Sequence, residues 1–325
     1  TPMKLPVRKV SKLNLSPMRF IAELSPCVHT SARTNISPQL SGSLEIPQKL
    51  QNLSQQLPPV NKRFYFSSIL NKTKQNEDAF TSFECHNYKI AAVFDGHNGA
   101  NASQYCAEHL EKLMTKNYGD SIFETIESAL EKSIFEINLQ IQEKFPNQGT
   151  TCAIVAINAL RAITAVVGDS QVLLGYSDHY KTTKIQKLQE SEHTSMVDGI
   201  LRLQNQLNID HTLGDFHLKH LLNQKPTMEE FTTDELEFCS LYSDGLVNTF
   251  SSNKIFQLIQ NSIRTRMEGQ SGIKVNVVER YGTKRMEFEN VTESAPLGKK
   301  ITQLITKMVY NTDQDDNVTF GILII

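Results

Sequence analysis

Apolar runs that stop or start at an aspartate recur along this chain, and each marks where a strand must end. The clearest is Ile90-Ala91-Ala92-Val93, which runs straight into Phe94-Asp95-Gly96-His97-Asn98-Gly99. A strand ending in Asp-Gly-His brings a carboxylate, a bare backbone carbonyl and an imidazole to one sheet edge. Glycine lets a ligand approach the main chain closely, because no Cβ blocks the way. Carboxylate and carbonyl oxygens are the donors that hard divalent cations such as Mg²⁺ or Mn²⁺ prefer. Asp-Gly is also a common turn, so the weight of the reading rests on its companions.

Four companions are present. Gln75-Asn76-Glu77-Asp78-Ala79-Phe80 precedes a strand-like stretch. Val166-Val167-Gly168-Asp169-Ser170 follows the apolar segment Thr151 to Ile157 and a turn near Asn158. In Leu241-Tyr242-Ser243-Asp244-Gly245-Leu246 an apolar stretch again meets Asp-Gly, and Asp313-Gln314-Asp315-Asp316-Asn317-Val318-Thr319 stands before the final strand, Phe320 to Ile325. Side chains at strand ends converge in space although the sequence scatters them. Acids held together repel and raise one another's pKa unless cations neutralise them. The pattern reads as a multi-metal site.

The ordered set Asn-Glu-Asp, Asp-Gly-His, Gly-Thr-Thr, Gly-Asp-Ser, Ser-Asp-Gly and Asp-Asp-Asn-Val-Thr resembles the metal-dependent PPM (type 2C) protein phosphatases, from about Phe64 to Ile325. The resemblance implies an α+β fold, an αββα sandwich of two mainly antiparallel sheets flanked by helices. It implies a serine/threonine phosphatase that hydrolyses phosphomonoesters of a phosphorylated protein with water activated by two metals, Mg²⁺ or Mn²⁺. Carried over residue by residue, Asp78, Asp95, the Gly96 carbonyl, Asp244 and Asp316 would hold the ions, and Glu77 would act through coordinated water. His97 would protonate the departing alkoxide as general acid. Asp169 matches a ligand of a third ion or, on the plainer reading, caps the turn after Gly168.

Composition and periodicity agree. With 325 residues, 39% hydrophobic, the chain can bury a large core, and one domain of about 250 residues plus a tail fits that length. A net charge of −2 gives no footprint for nucleic acid, and no apolar run reaches the roughly 20 residues of a membrane span. The five cysteines (Cys27, Cys85, Cys106, Cys152, Cys239) show no Cys-x-x-Cys spacing, which points to a reducing compartment. Strands are expected at Phe64 to Ser68, Phe80 to Phe83, Lys89 to Phe94, Thr151 to Ile157, Ala162 to Val167, Val172 to Tyr176 and Phe320 to Ile325. Amphipathic helices are expected at Ala100 to Lys116 and Ser121 to Lys144, with later ones near Lys254 to Ile263 and Lys300 to Tyr310.

Residues 1–61 differ from the phosphatase-like region, 62–325. Eight of the eleven prolines fall there, and before Glu45 the only acid is Glu23. This basic, proline-rich extension reads as a mitochondrial targeting region or, if it is only a basic arm, leaves the protein cytoplasmic. Residues 272–291 alternate about Gly282-Thr283 and read as a hairpin insert, either a sheet extension or a docking surface for a protein partner.

Departures from the family pattern leave a second function open. Thr73 stands where the family has a phosphate-gripping arginine, so Lys74 or Lys72 would have to supply the charge without the bidentate fork. Asn98 replaces a glycine, Val247-Asn248 replaces Trp-Asp, and the flap, Glu190 to Lys225, keeps only Leu213-Gly214-Asp215-Phe216 of the usual pattern. The alternative is a weak or inactive pseudophosphatase acting as a binding or regulatory subunit.

Overall fold

The computed structural model describes residues 63–69, 75–119, 124–184, 188–267, 275–280, 283–288, 296–310, 312 and 316–325. The chain divides at Pro59/Val60, and every described residue belongs to Val60–Ile325. The basic extension, Lys72 to Lys74, Asp313, Asp315 and the rest of the 272–291 segment lie outside the described residues.

Strands are numbered β1 (Tyr65–Ile69), β2 (Ala79–Cys85), β3 (Tyr88–Phe94), β4 (Gly96–His97), β5 (Gly149–Thr150), β6 (Cys152–Ile157), β7 (Arg161–Val167) and β8 (Gln171–Tyr176). They continue as β9 (Tyr180–Thr183), β10 (Thr194–Val197), β11 (Ile200–Leu203), β12 (Leu213–Gly214), β13 (Thr227–Thr232), β14 (Leu236–Tyr242), β15 (Val275–Arg280), β16 (Thr283–Phe288) and β17 (Val318–Ile324). The helices are α1 (Asn101–Asn117), α2 (Ile126–Lys144), α3 (Asp244–Val247), α4 (Ser252–Met267) and α5 (Leu297–Tyr310).

Two five-stranded antiparallel sheets carry the fold, ordered β1-β17-β14-β8-β9 and β13-β7-β6-β3-β2. Their alternate side chains face each other: Ala91, Val93, Ala153 and Val155 from one sheet pack with Val172, Leu174, Cys239 and Leu241 from the other. The opposite face of the second sheet buries Ile90, Ala92 and Ile154 against Cys106 and Leu110 of α1 and Leu130, Ile134 and Ile137 of α2. On the outer face of the first sheet, Phe238, Phe320 and Ile322 meet Ile255, Ile259, Ile301 and Ile305 of α4 and α5. Three apolar layers between four structural layers make this an αββα sandwich, as expected. Each fully buried aliphatic side chain contributes about 1.5–3 kcal/mol relative to exposure, so the stripes on α1 and α2 are core and carry no chemistry.

Boundaries differ in detail from those the periodicity suggests. Helix α2 begins at Ile126, because the Thr125 side chain accepts from the Ser128 N–H and caps it. Strands β15 and β16 pair antiparallel, with Val275 opposite Phe288 and Arg280 opposite Thr283. Four cysteines, Cys85, Cys106, Cys152 and Cys239, are buried and free. Among the described residues no helix is long and apolar enough to cross a membrane.

Candidate metal centre

The acidic motifs meet at one end of the two sheets because both sheets deliver their strand ends there. Asp95 leaves β3, Asp244 follows β14 and opens α3, and Asp316 precedes β17. Together with Glu77, Gly96, His97 and Asp169 they line a cavity of about 400 Å³. Asp78, just before β2, is buried beside it.

The remaining residues of each motif tie the ends together. Ser243 donates from Oγ to Asp78 Oδ2 at 2.9 Å and accepts from the Thr319 N–H at 3.0 Å, which joins three motifs. The Thr151 N–H and Thr150 hydroxyl donate to the Asp95 carbonyl at 2.8 and 3.0 Å, and Thr151 Oγ1 lies 2.6 Å from Ser170 Oγ. Asn317 donates from Nδ2 to the Gln75 carbonyl at 3.2 Å, while its N–H holds Asp316 Oδ1 at 2.8 Å. Asn248, four residues after Asp244, donates to Asp244 Oδ2 at 3.1 Å. Gly245 is required by packing: a Cβ there would collide with the Asn317 carbonyl.

Burial and mutual repulsion govern the electrostatics. Burial raises Asp78 to about 6, and Asp244 adds to the rise against hydrogen bonds that lower it. Asp169 and Asp316 are each raised to about 7, by burial first and then by the Asp244 charge. Asp95 is held well above the ordinary carboxylate range by burial and by the charges of Asp78, Asp244, Asp169 and Asp316.

His97 has a carboxylate partner that no strand-end motif announced. Its Nε2 lies 2.7 Å from Oδ2 of Asp215, whose side chain is fully buried. Thr212 also donates to that oxygen, at 3.2 Å. Asp215 stands in the left-handed region, φ 45°, and Gly149 lies directly beneath the pair: a Cβ there would collide with both Asp215 Oδ2 and His97 Nε2.

The family model for protein phosphatase 2C matches residues 66–279. The chain belongs to the protein phosphatase 2C family. Protein phosphatase 2C homolog 1 of Schizosaccharomyces pombe is 26% identical over 229 residues, covering 62% of each chain. Probable protein phosphatase 2C 11 of Arabidopsis thaliana is 28% identical over 224 residues, 62% of this chain and 59% of that one. The chain thus spans about three-fifths of the length of these relatives. Among solved structures, a serine-threonine phosphatase 2C from Toxoplasma gondii superposes with a TM-score of 0.60 at 13% identity, over 81% of this chain and 94% of that one. A sex-determining protein of Caenorhabditis elegans gives 0.64 at 17% identity, over 81% and 64%. These likenesses show the shared fold.

For this 2C-family chain, the structure brings Glu77, Asp95, Gly96, His97, Asp169, Asp244 and Asp316 to one cavity, with Asp78 beside it. As they stand, no three histidine, cysteine, aspartate or glutamate side chains close on a single point among the described residues. The donor set still fits a hard cation. Its donors are oxygens, its acids repel one another, and Asp78 Oδ1 and Asp244 Oδ1 are buried without a hydrogen-bond partner. Asn98 adopts φ 59°, which explains how it stands in for glycine. Lys74 lies outside the described residues. Asp215 was visible in sequence only as part of Leu-Gly-Asp-Phe, and its spacing from His97 carried no signal.

Proposed function

We propose that this chain is a metal-dependent protein serine/threonine phosphatase, hydrolysing phosphoserine and phosphothreonine esters of a protein substrate. The observation that carries the reading is one cavity holding the acidic motifs beside a histidine backed by a buried carboxylate. Asp78, Asp95, Asp244, Asp316 and the Gly96 carbonyl would hold two Mg²⁺ or Mn²⁺ ions, Glu77 would orient coordinated water, and Asp169 would serve a third ion. When bound, such ions neutralise phosphoryl charge and acidify water.

The chain's own residues supply the rest. A carboxylate only accepts hydrogen bonds, so Asp215 holds the N–H on His97 Nε2 and leaves Nδ1 to carry the proton for the leaving group. The Asp215 carboxylate also offsets the positive charge that the ring carries before it donates. The Asn317–Gln75 and Ser243–Asp78 links keep the acidic loops from spreading under their own repulsion.

A pseudophosphatase remains the second reading, because Thr73 and Asn248 replace an arginine and an acid of the family pattern. Hydrolysis of p-nitrophenyl phosphate separates the two. Turnover with Mn²⁺ that EDTA abolishes is expected. Folded, Mn²⁺-binding protein without turnover would make the regulatory reading the better one.

A further inference from the structure

The flap supplies part of the same cavity, and it brings a cation. Arg202 near the end of β11, with Gln206, Leu207, Asn208 and Ile209, lines the space shared by Asp95, Asp169, Asp244 and Asp316. Arg202 is the one guanidinium or ammonium among those lining residues. It lines the same cavity as these carboxylates, and among the described residues no aspartate forms an ion pair with it. Instead its Nη1 donates to the Gln206 carbonyl at 2.8 Å.

That carbonyl is held by a built turn. Gln204 and Asn205 both take positive φ, 49° and 61°, and the Gln206 N–H closes on the Leu203 carbonyl at 2.9 Å. Two successive left-handed residues reverse the chain tightly, and here neither is glycine. Leu203 and Leu207 pack with Leu218 in a small apolar cluster of the flap. The Gln206 side chain accepts from His217 Nε2 at 2.9 Å, two residues after Asp215. Arg202 is therefore steadied through the same segment that positions His97.

We propose that Arg202 grips the phosphoryl group of the substrate from the flap, in place of the arginine that Thr73 lacks. The inference rests on the phosphatase reading of the site. One N–H is spent on Gln206, and the guanidinium has five. The others present a planar fork suited to two phosphate oxygens, a contact that lysine cannot reproduce. The ligand is a phosphomonoester dianion or inorganic phosphate, the reaction product.

The test uses the full chain with Mn²⁺ and inorganic phosphate as the probe. Charge-assisted contacts are worth about 1.5–3 kcal/mol, so Arg202→Ala should weaken phosphate binding by calorimetry about 10- to 150-fold. KM for p-nitrophenyl phosphate should rise in parallel, and Mn²⁺ binding should stay unchanged. Arg202→Gln keeps a donor for the Gln206 carbonyl without the charge, so it should show the same loss even if the alanine variant folds poorly. Arg202→Lys should recover only part. Arg264→Ala removes a charge bound elsewhere, at the Ser177 carbonyl, and should change nothing. Unaltered phosphate affinity in both Arg202→Ala and Arg202→Gln overturns the proposal. Absence of turnover in the unaltered protein would sink the phosphatase reading alone, since phosphate binding still reports on Arg202.

Discussion

At the scale of single residues, the half-buried contact between His97 and Asp215 has the sharpest consequence. A serine alkoxide is a poor leaving group and needs a proton, whereas nitrophenolate departs unaided. Proton donation is worth about 10²–10⁴-fold. Both His97→Ala and Asp215→Asn should therefore slow hydrolysis of phosphoserine peptides by a factor in that range, with a much smaller loss on p-nitrophenyl phosphate. Mn²⁺ affinity should survive, since neither side chain is assigned to an ion. If Asp215 served only to hold the flap in place, Asp215→Asn would depress both substrates equally. Rates measured over a series of aryl phosphates of rising leaving-group pKa decide the matter: a steeper dependence in both variants is expected. The pair was illegible in sequence for a plain reason. The two residues lie 118 positions apart, and Leu-Gly-Asp by itself is ordinary turn chemistry.

At the scale of elements, burial explains only part of what was legible: the half-exposed edge strands β1 and β2 were anticipated, whereas buried, central β14 was read only as an apolar stretch before Asp244. Strands β3, β6, β7, β8 and β17 are almost wholly buried, so they read as continuous apolar runs whose ends were visible. Strands β9 and β13 sit at the edges of the two sheets. Each pairs with one neighbour, and β13 exposes Thr227, Glu229, Glu230 and Thr232, so neither leaves an apolar signature. Among the described residues the flap strands β10 and β11 form a separate two-stranded sheet and are hidden for the same reason. Short β5 makes a prediction at this scale. It passes so close under the His97–Asp215 pair that Gly149→Ala would push the new methyl into both side chains. The variant should retain Mn²⁺ binding and lose phosphopeptide turnover by at least about tenfold, matching the selectivity of the Asp215→Asn change. A Gly149→Ala enzyme of normal activity on phosphopeptides would mean that the pair can move aside without cost.

At the scale of the whole molecule, the fold gathers charge that it does not neutralise by itself. Asp78 near 6 and Asp169 and Asp316 near 7 all stand above the ordinary carboxylate value, which is about 4 in an unfolded chain. Between those limits the folded chain holds more protons than the unfolded one, so these acids make stability fall as pH rises. In EDTA the protein is expected to melt at a higher temperature at about pH 5 than at about pH 7.5. Cations binding only the folded form raise the melting temperature, and protons compete with them for the same oxygens. Saturating Mn²⁺ should therefore stabilise more at the higher pH, flattening or reversing the slope seen in EDTA. Asp244→Asn removes a charge that raises Asp78, Asp95, Asp169 and Asp316 alike. In EDTA it should make the slope shallower, and in Mn²⁺ it should shrink the gain. Thermal melts across this pH range, with and without Mn²⁺, check all of these outcomes. A metal-free melting temperature that climbs steadily from about pH 5 to about pH 7.5, with an equal Mn²⁺ shift throughout, would mean that the acids are not held together as the cavity places them.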